Sequence, residues 1–246
     1  MEKQTIVIRK QNRGNVASRN NFRCLLVTIS PDDSLLSTGK AQLNKISGKL
    51  NPHSANGAVI RSDTDAYTDN YIGLIAEYAC YDILKDVFGE TKVIKPSSQS
   101  SNNQVDIKLA NNKRIEVRSS CVRNGISFAI YNLDKNGQQY IDVIGPYFNE
   151  SYKQFEEIKD YYMRVIFEGE TSSIYSKIIN GEDVQLYITG GVTKHMLSKN
   201  GKNKYMVATG DSRIKNKGTY KVIPLSESLD YPEFIDVISV GLGDIE

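Results

Sequence analysis

Residues 105–119 of the chain read VDIKLANNKRIEVRS, and they are the most informative part of the sequence for predicting the fold. Apolar and charged residues alternate over 105–109 and again over 115–119, so each segment predicts a β-strand with one apolar and one charged face. The two apolar faces must lie on the same side of the sheet, which restricts how the strands can pair. The stretch therefore predicts an antiparallel hairpin in which the charged residues share the other face.

The length of the connecting loop sets the pairing of the charged residues. A two-residue turn would mix the two faces, whereas a three-residue loop over 110–112 places Asp106 opposite Glu116. Two opposed carboxylates destabilise a sheet, so a cation is expected beside them. Lys108 and Arg118 on the same face could supply it, and so could a divalent metal such as Mg²⁺. The alternative is a charged face in contact with solvent.

The clearest helix signal covers residues 70–88, with Asp69 as the expected N-cap and Gly89 as the expected C-terminal stop. On a helical projection, Glu77 falls inside the apolar arc of this helix. A buried carboxylate without a partner is costly, so a buried cation, a hydrogen-bond network or a metal is expected beside it. A Glu77 at the edge of the arc that reaches solvent is the alternative.

The remaining periodicity predicts an α+β fold, in which a central mixed β-sheet is flanked by helices. A polar region without a predicted element covers residues 37–68. Further strands are predicted at 5–9, 22–30, 126–133, 139–145, 162–168, 184–189 and 219–225. Further helices are predicted at 150–161, 173–179 and 192–198.

The net charge of +2 is unevenly distributed along the chain. Residues 1–60 carry nine Lys/Arg against three acidic residues, and residues 199–221 carry seven against one. Clustered cations of this kind are typical of proteins that bind polyanions, although solvated loops are the alternative. We therefore expect a basic extension at 1–68, packed on a core at 69–246 that includes the basic loop 199–221, in one compact domain.

Composition excludes several protein classes. With 39% hydrophobic and 24% charged residues, the chain is unlike disordered, collagen-like or coiled-coil proteins. No apolar run reaches the ~18 residues of a membrane span, and the N-terminal MEKQTIVIRKQ lacks the apolar core of a signal peptide. We therefore expect a soluble cytoplasmic protein of a bacterial or phage-type host, without a membrane partner.

Three segments together resemble the PD-(D/E)xK nuclease superfamily of restriction-endonuclease type. They are GLIAE at 73–77 on the predicted helix, Asp106 on the next strand, and EVRS at 116–119 on its neighbour. The resemblance covers roughly residues 69–145 and implies a restriction-endonuclease-like core with Mg²⁺ as cofactor. It implies that Asp106 and Glu116 are metal ligands and that Glu77 is an auxiliary ligand.

The chain departs from the motif where the family has its catalytic lysine, because Arg118 stands there. A guanidinium cannot deprotonate to act as a base, but it can stabilise the charge of the reacting phosphate or position a water. Lys108 could supply an ammonium group instead. Ser119 and Gln104 are possible auxiliary contacts to phosphate.

The resemblance implies a Mg²⁺-dependent type II restriction endonuclease that cleaves double-stranded DNA as a homodimer. The residues expected to contact DNA are Arg9, Lys10, Arg13, Arg19, Lys199, Lys202, Lys204, Arg213, Lys215 and Lys217. One alternative is a DNA-binding protein of nuclease fold that has lost catalysis, which Arg118 favours. Another is a repair or recombination nuclease, such as a junction-resolving enzyme.

Overall fold

The computed structural model describes residues 1–10, 14–46, 50, 61–96, 105–148, 156–206 and 218–243. The strands are β1 (Glu2–Arg9), β2 (Asn21–Ile29), β3 (Val93–Ile94), β4 (Ile107–Leu109), β5 (Arg114–Val122), β6 (Asp142–Phe148), β7 (Tyr161–Glu168), β8 (Val184–Thr193), β9 (Lys202–Met206) and β10 (Gly218–Pro224). The helices are α1 (Ser34–Ile46), α2 (Asp63–Phe88), α3 (Gly125–Tyr131), α4 (Thr171–Ile179), α5 (Lys194–Asn200) and α6 (Tyr231–Leu242).

A seven-stranded mixed sheet in the order β1-β2-β8-β7-β5-β4-β3 forms the centre of the fold. β5 and β7 run parallel, and the other neighbouring strands are antiparallel. Buried residues of α1, α2, α4 and α6 pack on one face, while α3, α5 and a small sheet in the order β6-β10-β9 cover the other. This architecture confirms the predicted α+β fold with a mixed central sheet flanked by helices.

The β4–β5 hairpin has the predicted register. Ile107 pairs with Ile115, and continuation of this pairing places Asp106 opposite Glu116. The loop has three residues, because the Leu109 amide donates to the Lys113 carbonyl at 2.8 Å. Asn112 takes the left-handed conformation with φ 66°, which asparagine adopts more readily than most residues.

Helix α2 begins earlier than predicted. Its N-cap is Ser62, whose hydroxyl accepts a hydrogen bond from the Asp65 amide at 3.0 Å, so the predicted cap Asp69 is wrong. Asp69 lies within the helix and pairs with Arg61 at 2.8 Å. Gly89 ends the helix with φ 93°, as predicted.

Several other elements differ from the prediction. The polar region 37–68 contains most of α1 and the start of α2, and the predicted strand 126–133 is largely the helix α3. Buried residues of α3 follow helical spacing: Ile126, Ala129 and Ile130. The segment is apolar almost throughout, so this spacing cannot be recognised in the sequence. The described part of the predicted helix 150–161 has no helix, since 156–160 is irregular and β7 begins at residue 161. The terminal helix α6 was not predicted, and the segment predicted as a basic loop at 199–221 contains β9 and the start of β10.

The N-terminal strands belong to the central sheet. β1 pairs with β2 along its whole length, and β2 pairs with β8. The expected boundary after residue 68 falls inside α2. Among the helices of the described residues, none has the length and apolar character required to cross a membrane.

Candidate functional site

The predicted carboxylates lie near the start of β4. Beyond this point no main-chain partner from the described residues pairs with that edge of β5. Asp106 immediately precedes β4, and its Oδ2 accepts a hydrogen bond from the Val117 amide at 2.7 Å. The Asp106 side chain thus accepts the hydrogen bond that a main-chain carbonyl would accept if the antiparallel pairing of β4 with β5 continued. Only 5% of Asp106 is exposed, so the carboxylate is held at the sheet edge within the protein.

Glu77 reaches the same place from α2. Its carboxylate accepts a hydrogen bond from the ammonium group of Lys95 and lies beside the carboxyl group of Asp106. Burial and the negative charge of Asp106 raise the pKa of Glu77 well above its ordinary value, and Lys95 opposes this shift. Lys95 also lies over the ring of Tyr78, 4.9 Å from its centre. Lys95 is thus a cation beside Glu77, as the position of Glu77 on the helix predicts, although its side chain is 20% exposed.

Glu116 approaches from the other side of β5. Strand alternation directs Ile115 and Val117 toward the α2 layer, so Glu116 and Arg118 point toward the small sheet. Burial and the charge of Asp106 raise the pKa of Glu116 to about 8, although Arg118 opposes the shift. The Oε2 atom of Glu116 is buried and has no hydrogen-bond partner among the described residues. A buried acceptor without a partner is available for a ligand.

Arg118 is held by two carboxylates. Its Nη2 lies 2.7 Å from Oε1 and 2.8 Å from Oε2 of Glu156, and 3.3 Å from Oε1 of Glu116. Burial disfavours the charge of Arg118, but the two carboxylates outweigh burial and raise the pKa of the guanidinium above its ordinary value. The cation expected beside the opposed carboxylates is therefore present, and it is shared with a residue that the sequence did not indicate.

Two further cations lie beside this group. Arg164 on β7 pairs in register with Arg118, is 1% exposed, and donates to the Ser120 hydroxyl at 2.8 Å. Burial lowers the pKa of Arg164 to about 10. Lys159 is equally buried, and its charge lowers the pKa of Glu116. The site is thus a buried network of acids and bases around β5.

The residues that sequence reasoning missed are Lys95, Glu156, Lys159 and Arg164. A signal existed for Arg164, since it is the single charge within the otherwise apolar run YYMRVIF at 161–167. Lys95 follows a two-residue strand, and Glu156 and Lys159 lie in irregular backbone, so none has a periodicity that could have indicated it.

The carboxylates fit a magnesium ion only in part. Asp106 and Glu116 offer hard oxygen donors, and Mg²⁺ is commonly held by one or two carboxylates together with water and phosphate oxygens. Within the ranges that the structure describes, however, no three or more His, Cys, Asp or Glu side chains are arranged to hold a metal ion. The three carboxyl groups interact electrostatically as two pairs, Asp106 with Glu77 and Asp106 with Glu116.

Of the auxiliary residues, Lys108 lies on the same face of the hairpin as Glu116 and is half-buried opposite Arg114. Ser119 is half-buried but lies on the α2 side of β5, away from Glu116. The third, Gln104, lies outside the described residues.

The predicted DNA contacts fall into three groups. Arg9, Lys199 and Lys202 are exposed, and Lys10 is half-buried. Arg19 donates to Asp230 and Glu233, and Lys204 donates to Asp142, so both have partners inside the protein. The remaining four, Arg13, Arg213, Lys215 and Lys217, lie outside the described residues.

Comparison with known proteins adds one relative. The chain is 22% identical over 258 aligned residues to an uncharacterized protein of Methanocaldococcus jannaschii, covering 91% of this chain and 88% of that protein. No family model and no solved structure matches the chain. The functional argument therefore depends on the geometry of the site.

Proposed function

We propose that the protein is a Mg²⁺-dependent endonuclease that hydrolyses phosphodiester bonds in double-stranded DNA, in the manner of type II restriction enzymes. One observation carries the proposal: Glu77, Asp106 and Glu116 are brought together although burial and mutual repulsion raise the pKa of Glu77 and Glu116. Such an arrangement destabilises a protein that has no use for it, and it is typical of catalytic sites.

Asp106 and Glu116 would hold the magnesium ion, and the free Oε2 of Glu116 supports this assignment. A bound Mg²⁺ supplies charge stabilisation to the scissile phosphate and the departing oxygen. Glu77 would position Lys95 through their ion pair, and Asp106 is itself positioned by the Val117 amide. The protein thus holds Asp106 and Glu116 at the β4–β5 hairpin and Glu77 on α2.

Lys95 would provide the ammonium group that the resemblance assigns to the position of Arg118. It is bonded to Glu77 and acts electrostatically within the same acidic group, whereas Arg118 is engaged by Glu156. An ammonium group can orient a water and stabilise negative charge on phosphate.

The remaining parts of the proposal concern the substrate and the assembly. Exposed Arg9, Lys199 and Lys202 would contact phosphates, while base recognition would fall to side chains that enter a groove. A homodimer in the cytoplasm would place two such sites on the two strands of a symmetric DNA sequence.

The test is digestion of a sequenced plasmid by purified protein with Mg²⁺, with Mn²⁺ and with EDTA. We expect discrete fragments with the metals and none with EDTA. Asp106→Asn should lower the cleavage rate by about 10³-fold or more, and Lys95→Ala by about 10²-fold or more. Lys92→Ala, three residues away and outside the acidic group, is the matched control. Folded protein that cleaves neither linear nor supercoiled DNA with any divalent ion would refute the proposal.

The pairing of Arg118 with Glu156 favours a second candidate, a DNA-binding protein of nuclease fold without catalysis. Here the acidic network would be structural, and the Arg118 cation would replace the metal. This candidate predicts salt-sensitive DNA binding that Asp106→Asn leaves unchanged, together with no cleavage by the unaltered protein.

A further inference from the structure

A pocket of about 390 Å³ opens on the face of the protein opposite α2. It lies between the small sheet, the segment after β1 and the segment before β6. Lys202, Asn203 and Lys204 form one wall, and Val16, Leu133 and Pro224 supply apolar surface. This volume is at the lower end of the range of ligand pockets, which fits one small ligand rather than a chain of several units.

Buried polar residues build the wall of this pocket. Gln139 is 4% exposed, donates to the carbonyls of Ala129 and Ile130, and accepts from the amide and hydroxyl of Ser226 at 3.0 and 2.7 Å. These bonds occupy both ends of its amide group, so Gln139 fixes the position of the wall and is not itself a ligand contact.

The same construction fixes one of the two lysines. The Lys204 ammonium donates to the main-chain carbonyl of Gln139 at 3.0 Å and to the buried Asp142 carboxylate at 2.5 Å. Asp142 in turn interacts electrostatically with Arg164, which belongs to the buried network around β5. Lys202 is exposed on the same strand and lies on the same face of β9 as Lys204. The charged lining of the pocket is therefore Lys204 paired with Asp142, together with exposed Lys202 and exposed Glu227.

We infer that this pocket binds one nucleotide unit, with its phosphate toward Lys202 and Lys204 and its base against Val16, Leu133 and Pro224. Ammonium groups on one wall suit a phosphate, and apolar side chains on another suit the face of a base. Ser18, which is exposed on the wall, offers a hydroxyl group for the sugar or the base edge. The unit belongs either to a free mononucleotide or to a single strand of nucleic acid, and the inference does not require cleavage by the site at β5.

The test is calorimetric titration of the protein in EDTA, which removes any dependence on the proposed nuclease activity. The probes are adenosine and thymidine 5′-monophosphates, adenosine, ribose 5-phosphate, inorganic phosphate and a short single-stranded DNA. We expect the mononucleotides to bind more tightly than the nucleoside or the sugar phosphate alone. Tighter binding of the DNA, with competition by mononucleotide, indicates a unit within a strand; tighter binding of the mononucleotide indicates a free ligand.

Variants connect the binding to the pocket. Lys202→Ala should weaken mononucleotide binding about tenfold, because one charged hydrogen bond is lost. Lys177→Ala, an exposed lysine of α4 outside the pocket, should leave it unchanged. Ser18→Trp, at an exposed position of the wall, should block it. Equal affinity in Lys202→Ala, Ser18→Trp and the unaltered protein would overturn the inference, as would phosphate binding as tightly as the mononucleotides or no binding at millimolar concentration.

Discussion

Arg118 and Glu156 form a largely buried ion pair in which Nη2 of the arginine lies within 2.8 Å of both carboxylate oxygens. The residue at the motif's lysine position is therefore already used to neutralise Glu156 and Glu116. A guanidinium held in this way remains charged and cannot exchange a proton with a substrate. Within the proposed function, this relationship leaves Lys95 rather than Arg118 as the catalytic cation, and it indicates that Arg118 stabilises the site.

Removal of Arg118 should destabilise the fold. Arg118→Ala leaves the carboxylates of Glu116 and Glu156 buried without their cation, so we expect the free energy of unfolding to fall by about 3 kcal/mol. Urea denaturation at neutral pH measures this loss. Arg123→Ala is the matched control, because Arg123 at the end of β5 pairs with Glu170 but is 76% exposed.

The control should lose about 0.5 kcal/mol or less, as surface ion pairs contribute little. A double variant, Arg118→Met with Glu156→Gln, should recover part of the lost stability, because it removes one of the unpaired charges together with the cation. Equal stability of Arg118→Ala and the unaltered protein would contradict the assignment.

The stability of the metal-free protein should depend on Glu116 in a defined pH range. The pKa of Glu116 is raised to about 8 in the fold, whereas an unfolded glutamate titrates near pH ~4.3. Between these values the folded state binds more protons, so its stability falls as the pH rises toward 8. Glu116→Gln should match the unaltered protein near pH 5 and be the more stable of the two above pH 8.

Glu157→Gln is the control for this pH profile. Its hydrogen bond with Arg114 lowers the pKa of the exposed Glu157, so this group titrates below the range in question. Thermal unfolding in EDTA from pH 5 to pH 8.5 should show a flatter profile for Glu116→Gln and an unchanged profile for Glu157→Gln. Parallel profiles for all three proteins would show that Glu116 is ionised throughout this range.

Magnesium should stabilise the protein more at high pH than at low pH. If Asp106 and Glu116 hold the ion, Glu116 must lose its proton first, so binding releases protons and strengthens as the pH rises. The increase in melting temperature with saturating Mg²⁺ should be larger at pH 8.5 than at pH 6. Asp106→Asn should abolish the increase, and Glu182→Gln, an exposed glutamate before β8, should retain it. The same increase in Asp106→Asn would place the ion elsewhere.

The sequence alone could predict the parts of the site that depend on local periodicity. The alternation in the two hairpin strands and the asparagine loop were sufficient to place Asp106 opposite Glu116. Helical spacing was sufficient to place Glu77 among apolar residues, and the structure supplies Lys95 as its partner. In each case the interacting residues lie on regular elements whose geometry is set by a few neighbouring residues.

The rest depends on contacts between distant segments. Glu156 meets Arg118 from irregular backbone, where no period relates sequence position to direction. The strand prediction for 126–133 failed because its β-branched and aromatic residues favour a strand locally, whereas packing against Leu225 and the central sheet favours a helix. Arg19 was expected at DNA because clustered cations resemble a binding surface, although tertiary structure directs its side chain to α6.

Asp230 should be one of the most sensitive positions in the fold. It caps α6 by accepting from the Glu233 amide, and it also accepts from Arg19 and Arg23 although it is 1% exposed. Asp230→Ala removes the cap and the shared carboxylate from two arginines, so we expect a loss of about 3 kcal/mol in the free energy of unfolding.

Asp236→Ala on the exposed face of the same helix is the matched control and should change stability by about 0.5 kcal/mol or less. DNA binding by the stable Asp236→Ala protein should be unchanged.

Arg19→Ala separates the two roles that have been considered for this arginine. A structural role predicts lower stability in urea with unchanged salt dependence of DNA binding, since no phosphate contact is lost. A weaker salt dependence with unchanged stability would instead assign Arg19 to the DNA surface, against the contacts that it makes with Asp230 and Glu233.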